Sequence, residues 1–135
     1  AHEILDELKR NVPGAMMGAL LRPAYFSPTF HKHANMLCNG LQIHTDYPDY
    51  EHDSFRPYRL IAGFLKVLRT LVPEYEIWRY HEYEYELDRT PIDVINGGPW
   101  LKSWVEDDSM SFGDLDHKLS QAISLWEDKR ATYLI

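Results

Sequence analysis

The chain has one cysteine, Cys38, so no internal disulfide can staple the fold and its stability must come from packing. No apolar run approaches the roughly 18 residues of a membrane span. The opening segment AHEILDELKRN is charged and amphipathic and lacks the apolar centre of a signal peptide. Basic excess is also missing: 14 Lys and Arg face 21 Asp and Glu, a formal charge of −7. Nucleic acid and anionic membrane surfaces need a basic footprint, so this balance argues against both as partners. There is no phosphate loop, dinucleotide fingerprint, nucleophile elbow, internal repeat or low-complexity tract. The first residue is alanine rather than methionine, and the chain reads as a piece of a longer protein.

What is present is enough for a real core. The 135 residues are 44% hydrophobic and 26% charged, in the range of one globular domain. Ile4, Leu5 and Leu8 recur at helical spacing over residues 2–11, and the Pro13-Gly14 pair predicts a stop. The stretch Ala15–Leu21 is compatible with a strand or a buried turn. Pro23 and Pro28 bracket a segment that should be an edge strand or extended loop, because proline donates no backbone hydrogen bond. Asn39-Gly40 signals a turn. Beyond it, Leu41, Ile43 and Thr45 alternate with Gln42, His44 and Asp46 as in a half-buried strand. A helix is predicted from Pro57 to Leu71, its apolar stripe built from Leu60, Ile61, Phe64, Leu65, Leu68, Leu71 and Val72, with Pro73 ending it. The alternation of Glu82, Glu84 and Glu86 with Tyr83, Tyr85 and Leu87 predicts a strand within Tyr75–Leu87. Short helices follow Thr90-Pro91 and Pro99. A last helix starts at Ser111 with Asp114, with Leu115, Leu119, Ala122, Ile123, Trp126 and Arg130 along one side. The expectation is a single α+β domain: a small mixed or antiparallel sheet of about three strands packed against four or five helices.

Four kinds of chemistry come into question. His31, His33, Cys38, His44 and Asp46 include metal-binding groups, but their spacing fits no standard zinc pattern and only one thiol is available. Cys38 could be a nucleophile activated by a histidine, yet no catalytic cysteine signature flanks it, and a free cysteine is commonly a small buried hydrophobe. Glu82, Glu84 and Glu86 could supply paired acids, although an alternating acidic face is ordinarily the solvated side of a sheet. Nine Tyr, four Trp and five Phe permit stacking on sugar rings. Phe64, Trp104 and Trp126 sit on helix stripes and belong to a core, while Tyr25, Tyr47, Tyr50 and Tyr58 are less easily assigned to it.

Certain residues carry a family likeness. Arg22-Pro23, Phe26-x-Pro28-Thr29-Phe30-x-Lys32 and Cys38-x-Gly40-x-Gln42-x-His44-x-x-Asp46 resemble the C-terminal half of bacterial exo-β-N-acetylmuramidases. The likeness continues through Phe55-x-Pro57, Pro73-Glu74, Asp93-x-x-x-Gly97 and Trp126-x-x-x-Arg130-x-x-Tyr133-Leu134, covering nearly the whole chain. It departs at Ala34-Asn35, where a glycine is expected, at Leu41 in place of valine, and at Trp126 in place of phenylalanine.

The resemblance implies a two-domain glycoside hydrolase that releases β-1,4-linked N-acetylmuramic acid from peptidoglycan fragments. Its catalytic acids are expected on an N-terminal Rossmann-like domain outside this chain, and the cleft between the two domains. No catalytic residue, metal or cofactor is implied within residues 1–135, and the fragment alone is expected to be inactive. Thr29, Lys32, Gln42, His44 and Asp46 are implied to line the substrate cleft, and Lys32 or Arg22 is the cation suited by its chemistry to pair with the lactyl carboxylate. The partners are then the N-terminal domain and a muropeptide or other peptidoglycan-derived sugar. The competing reading is a stand-alone module that binds sugar or protein without hydrolysis.

Overall fold

Leu5, Leu8 and Val12 fall at three- and four-residue intervals, and burying that stripe makes the first helix. In the computed structural model, which describes residues 1–12, 14 and 16–134, it spans His2–Asn11 (α1). The Val12 N–H closes the last turn on the Leu8 carbonyl, and Pro13 and Ala15, part of the predicted stop and of the ambiguous stretch after it, lie outside the described residues. Two antiparallel strands follow, Leu20–Phe26 (β1) and Cys38–His44 (β2). Helix α2 runs from Pro57 to Leu71, with proline in its first turn, as the spacing predicts. The remaining helices are Pro91–Asn96 (α3), Trp100–Glu106 (α4) and Phe112–Ala131 (α5). The fold is α+β, with five helices and a small antiparallel sheet among the described residues.

Two compact units divide the chain, Ala1–Ile77 and Trp78–Ile135. In the first, α1 packs on α2 and on β1. The buried residues of α2 are Leu60, Ala62, Gly63 and Val67, whereas Ile61 is 47% exposed. The buried line therefore passes through small residues that the bulky apolar pattern does not single out. Leu8, Leu21, Leu41, Ile43, Leu60, Ile61 and Phe64 line an open apolar recess between the hairpin and the helices.

The second unit is organised around Trp104, which is fully buried. Its indole N–H donates to the Ser111 carbonyl at 2.9 Å, its ring stacks on Trp100, and it meets Phe112 edge-on at 5.3 Å between ring centroids. Such pairs add to the burial term through their quadrupoles. Trp78, Leu101, Val105 and Leu115 complete this core, and the Trp78 indole N–H donates to the Glu106 carboxylate. Helix α5 begins with a reciprocal cap. The Ser111 hydroxyl accepts from the Asp114 N–H, and the Asp114 carboxylate accepts from the Ser111 N–H.

Two expectations are corrected here. The strand within Tyr75–Leu87 does not form: the segment is irregular apart from a two-residue turn closed between Tyr83 and Glu86. Alternation alone makes no strand where no neighbour supplies the ladder, and Tyr80 and Tyr85 stay exposed. Along α5, only Leu115 of the expected stripe is buried, and every described residue from Ser120 onward is exposed. Ile123 and Trp126 share the expected side yet stay exposed, and Leu125 projects from another side of the helix.

Candidate functional site

The site is built on the β1–β2 hairpin. Seven residue pairs fix its register, with Arg22 opposite Gln42 and Ala24 opposite Gly40. Side chains alternate across a strand. Leu21, Leu41 and Ile43 accordingly face the apolar recess, while Arg22, Ala24, Phe26, Cys38, Gly40, Gln42 and His44 share the opposite, open face. Pro23 is tolerated because a two-stranded sheet leaves the outer side of each strand unpaired. The turn predicted at Asn39-Gly40 is not one, since both residues lie inside β2. The chain reverses instead through Ser27–Leu37, tied where the Asn35 N–H donates to the Pro28 carbonyl at 2.8 Å. His31, His33 and Asn35 all adopt left-handed backbone in this loop, with φ of 59°, 61° and 62°.

On the open face four side chains form a continuous polar chain. Arg22 donates from Nε to His44 Nε2 at 2.9 Å and from Nη2 to Gln42 Oε1 at 2.5 Å. His44 Nδ1 stands 3.5 Å from a carboxylate oxygen of Asp46. Because a guanidinium can only donate, His44 Nε2 must be the acceptor, which puts the ring proton of the neutral tautomer on Nδ1, facing Asp46. Both groups that hold Arg22 are neutral acceptors. Among the described residues no carboxylate is within ion-pair distance of its guanidinium. Among the described residues two of its five N–H donors are engaged, and both hydrogens on Nη1 are among those left over. The arrangement is a cation fixed in direction, in an exposed position, with no carboxylate in direct contact among the described residues and Asp46 one imidazole away.

The sequence pattern anticipates some of this and misses some. Gln42, His44 and Asp46 come together as their alternation suggests, and Arg22 joins them across the hairpin. Thr29 and Lys32 lie on the exposed Ser27–Leu37 loop and make no hydrogen bond or ion pair with those four. Cys38, expected in the core, is half-buried on the open face opposite Phe26, with its thiol 3.8 Å from the Met36 carbonyl. Among the described residues no group of three or more His, Cys, Asp or Glu side chains could hold a metal ion. Glu82, Glu84 and Glu86 share no strand face. Glu84 sits at positive φ in the turn, and Glu86 pairs with Arg89, whose hydrogen bond holds the Glu86 carboxyl below its usual range. Phe26 is the residue whose place the pattern does not signal. The residue is 52% exposed, and its ring lies over Gly40 on the same face as Arg22.

Peptidoglycan beta-N-acetylmuramidase NamZ of Bacillus subtilis (strain 168) is 25% identical over 118 residues, which cover 87% of this chain. The chain matches only 25% of the length of that relative. No solved structure matches it. The family described as exo-beta-N-acetylmuramidase NamZ, C-terminal, matches residues 1–135. The chain therefore belongs to the C-terminal domain family of the exo-β-N-acetylmuramidases.

Proposed function

We propose that this domain forms one wall of the substrate cleft of an exo-acting peptidoglycan glycosidase, the catalytic acids standing on an N-terminal Rossmann-like domain of the same polypeptide. The observation that carries the reading is Arg22, aimed by two neutral acceptors and in direct contact with no carboxylate among the described residues, in a chain of net charge −7. N-acetylmuramic acid bears a lactyl carboxylate, and a guanidinium with free N–H donors is well suited to reading it. Gln42 keeps its amide nitrogen beside it for hydroxyl and acetamide groups, while His44, engaged at both ring nitrogens, holds Arg22 in place. Asp46 orients His44. Thr29 and Lys32 add a hydroxyl and a second cation from the loop. The substrate is then β-1,4-linked N-acetylmuramic acid at the non-reducing end of a fragment. Hydrolysis itself needs two positioned carboxyl groups, and these belong to the N-terminal partner.

The test uses the full-length parent protein. Arg22→Gln should raise KM for a chromogenic β-N-acetylmuramide by roughly ten- to hundredfold, the scale of a lost charge-assisted hydrogen bond. Its effect on kcat should be smaller, because the carboxylate is remote from the bond that breaks. The matching β-N-acetylglucosaminide, which lacks the lactyl group, should be handled equally by both proteins. An unchanged KM for the muramide would refute the assignment. Equal binding of a muropeptide by parent and fragment, with hydrolysis by neither, would favour the stand-alone binding module.

A further inference from the structure

The open face of the hairpin continues past the polar chain. Next to the Arg22–Gln42 pair come Ala24 and Gly40, which present almost no side chain, and then Phe26. The Phe26 ring covers Gly40 closely: a Cβ added at Gly40 would lie 3.4 Å from its edge carbon Cε1. Covering a strand glycine explains why the ring lies down, yet it accounts for only one side of it. The residue as a whole is still 52% exposed. A glycine inside a strand commonly marks a place where another group approaches the backbone closely. Together these residues make a shallow floor with an aromatic at one end and the Arg22 guanidinium at the other.

We propose that this floor is the subsite for the second sugar of the substrate, the pyranose linked to the N-acetylmuramic acid. The apolar face of that ring would lie on Phe26 and over Ala24 and Gly40. This rests on the reading that Arg22 takes the lactyl carboxylate, which sets where the neighbouring sugar falls. The occupant follows from chemistry: a pyranose has an apolar face matched to an aromatic ring, and its anionic neighbour is matched to Arg22 by charge. Phe26 then selects for fragments that continue beyond the terminal residue, and Arg22 selects for the acid at the end.

Two substrates separate the two roles in the full-length protein: a disaccharide with N-acetylmuramic acid at its non-reducing end, and the methyl β-glycoside of N-acetylmuramic acid. Phe26→Ala should raise KM for the disaccharide roughly three- to tenfold, the scale of one aromatic contact, and leave that for the methyl glycoside unchanged. Phe26→Trp should restore the disaccharide KM. Gly40→Ala, which fills the floor and crowds the ring, should act in the same direction as Phe26→Ala. Arg22→Gln should raise KM for both substrates. If Phe26→Ala leaves both KM values unchanged, or shifts both equally along with thermal stability, the subsite is refuted while the role of Arg22 stands. If Arg22→Gln affects neither substrate, the underlying reading fails first.

Discussion

Single residues set the backbone that the hairpin depends on. Gly18 precedes β1 with φ +78°, and its carbonyl accepts the Glu51 N–H at 2.9 Å. A side chain there would be strained by φ and would also run into the Glu51 carbonyl oxygen. Gly18→Ala should therefore lower stability by about 1–3 kcal/mol, read as a lower urea midpoint with an unchanged slope. Wild-type stability in that variant would mean the turn readjusts freely. Asn35 makes the same point from the other side. It stands near where the family resemblance calls for glycine, and it adopts φ +62°. Asparagine is among the non-glycine residues that tolerate that region best, so the departure keeps the loop geometry. The pairing of Arg22 with Gln42 was not legible from the amino-acid order, because residues twenty apart meet only through the strand register. The alternation of Gln42, His44 and Asp46 was legible, because it needs only the period of a strand.

Elements formed where local chemistry and packing agreed. Helix α2 could be read closely in the sequence because Pro57 suits its first turn, Pro73 cannot continue it, and the leucines between them repeat at helical spacing. Helix α5 could be read at its start for a similar reason, the Ser111–Asp114 cap. Ser111→Ala should cost about 1 kcal/mol at neutral pH, measured by chemical denaturation. The same cap carries a pH signature. Hydrogen bonds from the Ser111 hydroxyl and then its N–H hold the Asp114 carboxyl below its usual range. The unfolded chain thus binds this proton more readily than the folded one. The stabilisation is fully present above the unfolded value, about 4, and is lost as pH falls through the lower folded value. Asp114→Asn should flatten the acid limb of the stability profile, and a limb of unchanged steepness would remove Asp114 from the account. The Tyr75–Leu87 segment misled because its glutamate–tyrosine alternation satisfies the period of a strand. Pairing is a property of the neighbourhood, and there the only bridge is a local turn between Tyr83 and Glu86.

At the scale of the whole molecule, the open face of the hairpin offers orientation and charge but no pair of acids set for glycosidic cleavage. The isolated 135-residue chain should give no turnover of a chromogenic β-N-acetylmuramide under conditions where the full-length parent is active, followed by release of the chromophore. Turnover by the isolated chain would relocate the catalytic acids to this domain. The register of the hairpin has a further consequence for how such a chain can change length. Strand faces alternate with every residue, so removing one residue between Arg22 and the reversal slides Arg22 out of line with Gln42 and turns it toward the helices. Removing one from the Ser27–Leu37 loop alters only the connection. Insertions and deletions that preserve the function should accordingly collect in the loop and avoid β1. A sequence aligned to this one with a gap inside Leu20–Phe26 is more plausibly misaligned than altered in function.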